Sequence, residues 1–233
     1  MRTSTGKTLR IIGIIFMGLT AAMNTLSGVG TSCAAFLTKQ YPMFWDILRA
    51  DLLWMWQSFV VVTLLLGLAG IWATVQLVRG KRNAYRNAII QLILGTIVNG
   101  IHVYYSQIVL GSVIPIVVTL LTNIITLVLL IIFGTPGLRE QIRFEGEGDD
   151  ITGATATGLT AFFVGVILLS TSHWAGPSHT FDGVNLVHVL RIPLLAGGAT
   201  FSMGGLALLL WTALDLSFPR TIQQSVEDKK QLH

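Results

Sequence analysis

Charge is what this 233-residue chain has least of. Asp, Glu, Lys and Arg together make up 11% of it, less than half the share usual in soluble domains. Hydrophobic residues make up 52%. Too few polar groups remain to cover a surface in water, so the apolar excess must face lipid. Cysteine is nearly absent too. Cys33 stands alone, which excludes an intrachain disulfide, a paired-cysteine redox centre and a c-type haem attachment motif. None of the six asparagines has the downstream Ser/Thr of a glycosylation site. A complete phosphate-binding Gly-Lys-Ser/Thr loop, a zinc-protease histidine pair and a nucleophile elbow are all missing.

What the chain does have is long apolar stretches. A membrane span needs about 20 mainly apolar residues. Six such stretches lie near 11–36, 53–78, 87–108, 113–133, 152–171 and 187–213. They predict an all-α, polytopic bundle of six transmembrane helices, filling 1–233 as one integral membrane domain with a polar tail at 217–233. Arg2, Lys7 and Arg10 precede the first stretch as in a signal peptide. The stretch outruns a normal signal h-region, however, and reads as a retained span.

Cations favour cytoplasmic loops. With the N-terminus inside, Arg2, Lys7, Arg10, Arg79, Lys81, Arg82, Arg86, Arg139, Arg143, Arg220, Lys229 and Lys230 fall on the cytoplasmic side. Lys39, Arg49 and Arg191 fall opposite. Both termini are therefore expected in the cytoplasm of a cell-membrane protein. Phe44, Trp45, Trp54, Trp56, Tyr104, Tyr105 and Trp174 would mark the outer boundary, and Trp72, Tyr85, Phe133 and Trp211 the inner one. The net charge of +4 does not suggest nucleic acid. Its clusters flank spans, and Arg79, Lys81, Arg82 and Arg86 are expected to meet anionic lipid headgroups. In "FGTPGLREQIRFEGEGDD" (133–150), Leu138, Ile142 and Phe144 are placed to lie flat at the interface, and the acidic run favours the next helix N-terminus.

No Asp, Glu or Lys falls in the middle of a predicted span. Proton- and ion-coupled pumps usually hold an ionisable group there, so this chain is a poor candidate for one. Uncharged polar residues do recur at helical spacing. Thr20, Asn24, Ser27, Gly28 and Thr31 share a face, as do Asn99, His102 and Ser106, and Thr119, Thr122, Asn123 and Thr126. These stripes should point inward, either as interhelical hydrogen bonds or as the wall of a polar cavity. The sixth span carries small residues instead. Ala196, Thr200 and Gly204 form one row, with Gly197 and Gly205 beside it. Such a face suits close helix packing, within the chain or against a membrane-protein partner or second copy.

The segment "SHWAGPSHTFDGVNLVHVLRIP" (172–193) holds three of the five histidines. His173, His179, His188 and His102 belong to one layer, the outer one in this threading. Three readings stay open. The loop is an interfacial cap, with Arg191 snorkelling or paired with an aspartate such as Asp182. Alternatively, imidazoles bind a metal through His173, His179 and Asp182, or haem b through His102 and His188. In the third reading an outer pocket binds a quinone, a lipid headgroup or a neutral solute through Asn24, Asn99, His102, Asp182, His188 and Arg191. Nothing in the sequence shows the convergence an enzyme needs, so no catalytic residue is assigned. A ligand-binding or accessory subunit is the leading function, followed by a small-solute carrier and then a metal- or haem-binding redox subunit.

Overall fold

The computed structural model describes residues 4–40, 42–111, 113, 115–146, 150–181 and 183–217. Eight α-helices run through them: α1 (Ser4–Phe36), α2 (Met43–Ile47), α3 (Leu53–Val78), α4 (Ala84–Leu110), α5 (Ile116–Phe133), α6 (Pro136–Ile142), α7 (Asp150–Trp174) and α8 (Arg191–Ser217). A two-residue antiparallel ribbon, β1 (Thr180–Phe181) with β2 (Val184–Asn185), links α7 to α8. Six helices are long and apolar enough to cross a membrane: α1, α3 with its preceding turn, α4, α5, α7 and α8 with its preceding turn. This all-helical bundle with six apolar helices is consistent with a multi-pass membrane protein. Their positions match the predicted stretches, although α1 starts seven residues earlier than the hydropathy pattern does.

α1 is the central post. It packs against α3, α5 and α7, and α6 covers its first turns. Its partners approach closely because small residues face each other. A Cβ on Gly67 would land on Thr25, one on Gly70 would sit 2.8 Å from Ala21 Cβ, and one on Gly28 would sit 2.8 Å from Leu64. α4 lies against α3 and α5. α8 packs on α7 and on little else. In that pair, Gly197 and Gly205, together with Gly198, face α7, whereas Ala196, Thr200 and Gly204 face outward and are exposed. The two small-residue rows thus divide. One is used within the chain, and the other covers no part of it.

The end of the bundle carrying Arg79 is sealed by a plug. Ile142 and Phe144 do not lie flat on the surface. They are buried with Ile14, Leu77, Leu130 and Phe133, and Phe144 stacks near Tyr85 and Phe133 at ring distances of 5.9 and 6.5 Å. Arg10 explains the early start of α1. It is 1% exposed, and its guanidinium donates to Leu77 O at 2.7 Å, Val78 O at 3.2 Å and Arg143 O at 2.6 Å. It therefore caps the C-terminus of α3, where a cation is favoured, and ties down the strap after α6. Gly80, at φ +60°, lets the next turn meet Gly146, whose N–H donates to Gly80 O at 2.9 Å.

Two of the aromatic residues predicted near the boundaries are buried within the bundle. Phe133 joins the plug, and Trp56 is 1% exposed with its indole N–H donating to Leu48 O at 3.0 Å. Trp45, Trp54, Trp72, Trp174 and Trp211 remain exposed, as boundary residues do.

Candidate functional site

The polar stripes of α1, α4 and α5 meet inside the bundle. Spacings of three and four place Thr20, Asn24, Asn99, Asn123 and Thr126 on facing sides of their helices, and all five are buried. Asn24 is the hub. Its amide donates to Thr20 O at 2.9 Å and to Asn123 Oδ1 at 3.5 Å, and its oxygen accepts from Asn99 Nδ2 at 2.9 Å. Thr20 and Thr126 share a hydroxyl bond of 2.7 Å. A Cβ on Gly95 would land on Asn123 Oδ1, so the glycine is what admits the amide. Each such bond adds roughly 0.6 kcal/mol in a membrane. Together they set the register of three helices.

Beyond this layer, toward the end of the bundle that carries Trp56, a cavity of about 150 Å³ opens. Ser27, Thr31, His102, Ser106, Thr119 and His179 supply its polar edge, and Met23, Leu26, Leu48, Ile116 and Leu194 are among its apolar lining. No Asp, Glu, Lys or Arg lines it among the described residues. His102 is 3% exposed. Its ring lies parallel to Phe59 at 4.4 Å and edge-on to Trp56 at 5.7 Å. The stack fixes the imidazole plane, and Nδ1 has no hydrogen-bond partner. Like Asn99 Oδ1, that nitrogen has no accessible surface, so it is sealed in the packing and does not face the cavity.

His179 enters from the opposite side, out of the turn after α7. Its Nδ1 lies 2.8 Å from Ala175 O. A carbonyl only accepts, so Nδ1 carries the proton and Nε2 is the acceptor of the neutral ring. That Nε2 lies 3.9 Å from where a Cβ on Gly30 would stand, which brings α1 and the turn together across the cavity. Burial pushes the His179 pKa below its ordinary 6.5, and the Ala175 bond only partly opposes this. The folded state thus disfavours the imidazolium. Stability should be level above about pH 6.5 and fall as pH drops through 6.5 toward the lower folded value. Melting curves from pH 8 to pH 5 check this: His179→Gln should lose less stability on acidification than the parent, and equal losses would refute it.

The structure gathers only some of the residues marked in the sequence. His102 and His179 share the cavity. Asn24 and Asn99 lie in the hydrogen-bonded layer beside it. His173, His188 and Arg191 are exposed and do not line it. Asp182 lies outside the described residues, and among those described no group of three His, Cys, Asp or Glu side chains is placed to hold a metal. Trp56 and Phe59, the rings that clamp His102, carry no polar group that marks them as site residues in the sequence beyond the Trp56 indole N–H. Their i, i+3 spacing on α3 is visible in the sequence, but that they face α4 is not. Compared with protein-family models, curated proteins and solved structures, the chain gives no match.

Proposed function

We propose that this chain is a ligand-binding multi-pass membrane protein. Its site is the cavity between His102 and His179, and its ligand is a neutral, compact lipophile bearing carbonyl or hydroxyl oxygens. Quinone head groups belong to that class. The observation that carries the reading is a mostly apolar cavity with the imidazoles of His102 and His179 in its lining. An uncharged lining supports a neutral ligand, because a buried charge without a counter-charge is costly. A few placed polar groups in an apolar cleft are the usual make-up of a small-molecule site. The threading places both termini in the cytoplasm and the cavity toward the outer leaflet. It rests on the twelve-to-three distribution of cations.

Binding of a short-tailed benzoquinone to the detergent-solubilised protein tests the reading. His102→Ala should weaken it at least about tenfold, the worth of one buried hydrogen bond to a polar ligand atom. His188→Ala, altering an exposed ring, should leave it unchanged. Equal binding by parent and His102→Ala, or no saturable binding by the parent, would refute the proposal.

A further inference from the structure

A second cavity, of about 670 Å³, runs along the outside of α1 between α3 and α7. Its floor extends from Ile14 to Val29 on α1, a length of about 22 Å at ~1.5 Å per residue. That exceeds a single leaflet, about 15 Å if the hydrocarbon core is about 30 Å thick. The walls are apolar apart from four threonines. Each of these donates its hydroxyl to the carbonyl four residues back: Thr25 to Ala21 at 2.9 Å, and Thr74, Thr157 and Thr160 to Gly70, Gly153 and Ala156 at 2.8 Å. The walls therefore ask no hydrogen bond of an occupant.

Polarity enters at one end only. Among the described residues, Arg79 is the sole charged one in the lining. Lys81 and Arg82 follow it in the same turn, and all three are exposed. A long apolar trough ending in a guanidinium matches an amphiphile with an anionic head. Three cations within four residues exceed what a single carboxylate needs. A phosphodiester can take a forked guanidinium contact and still offer oxygen to a lysine.

We propose that this groove holds an acyl chain of an anionic phospholipid whose phosphate sits on Arg79, with Lys81 and Arg82 beside it. The lipid is enclosed by α1, α3, α7 and the start of α8, and so differs from the exchanging lipids around the bundle. Neither Arg79 nor the groove residues Ala22 and Ala161 line the imidazole cavity, so this proposal and the one above can fail separately.

The test uses the full chain in an uncharged detergent, titrated with phosphatidylglycerol or phosphatidylcholine, with retained lipid counted by native mass spectrometry. Phosphatidylglycerol should be retained at least about fivefold better, the effect of one cation near a lipid headgroup. Arg79→Gln should remove that preference. Ala161→Phe should displace phosphatidylglycerol by filling the groove, and Ala22→Phe should do the same from the floor if the first variant fails to fold. Equal retention of the two lipids, a preference that survives Arg79→Gln, or retention unaffected by a filled groove would each overturn the proposal. So would a free fatty acid that competes as well as phosphatidylglycerol.

Discussion

Arg10→Ala is expected to destabilise the protein by roughly 3–5 kcal/mol, enough to lower its melting temperature in detergent by many degrees. The carbonyls of Leu77, Val78 and Arg143 would lose the guanidinium at once, leaving Leu77 O a 3.3 Å bond from the Gly80 N–H. Two of them close the last turn of α3, where carbonyls have no partner within the helix. The third anchors the strap that carries Phe144 into the core. Hydrogen bonds from a charged donor are stronger than neutral ones. Arg10→Lys should recover only part of the loss, since one ammonium cannot reproduce a forked donor. Limited proteolysis in the 143–146 strap gives a local readout. A melting temperature within a degree or two of the parent, with the strap still protected, would show that the guanidinium is not the clamp.

Gly205→Val should separate α8 from α7 at a cost of roughly 2–3 kcal/mol. A Cβ there would stand 2.5 Å from Phe162 N, 2.6 Å from Gly158 O and 3.0 Å from Phe162 Cα. All three are backbone atoms and cannot rotate away, so the helices must part. Because α8 has almost no other neighbour in the chain, the loss is not made up elsewhere. Gly204 provides the control one residue away. No atom lies within 4 Å of a Cβ at that position, so Gly204→Val should change stability by only about 0.5 kcal/mol. Crosslinking between cysteines introduced on α7 and α8 reports the separation directly. Similar behaviour of the two variants would mean that the pair is not packed through Gly205.

Much of the fold was legible because hydropathy is a local property. Six apolar stretches announce six helices without any knowledge of their neighbours, and helical spacing shows which asparagines and threonines share a face. The polar layer follows nearly as directly: Asn24, Asn99 and Asn123 have nowhere to go but inward. What hydropathy hides is any residue whose place is decided by a distant backbone. Arg10 reads as a flanking cation because its acceptors are carbonyls, which carry no sequence signature. Trp56 reads as a boundary aromatic until Leu48 O and His102 are seen beside it. The histidine-rich stretch misleads for a related reason. Crowding along the chain brought His173, His179 and His188 together on paper, but only His179 turns toward the bundle, and its companion there is His102 from another helix. Asp182 lies outside the described residues, so its part in the stretch is known from sequence alone.

The division of the bundle has a consequence for how the protein is made. One side of the imidazole cavity comes from α1, α3, α4 and α5; the other, including Trp174, Ala175, His179, Val187, Leu190 and Leu194, comes from the last helical hairpin. That hairpin leaves the ribosome after the helices of the first wall, and until it docks the chamber is open on one side. A molecule held there afterwards bridges the earlier helices and the hairpin, so occupancy would report that the two have docked.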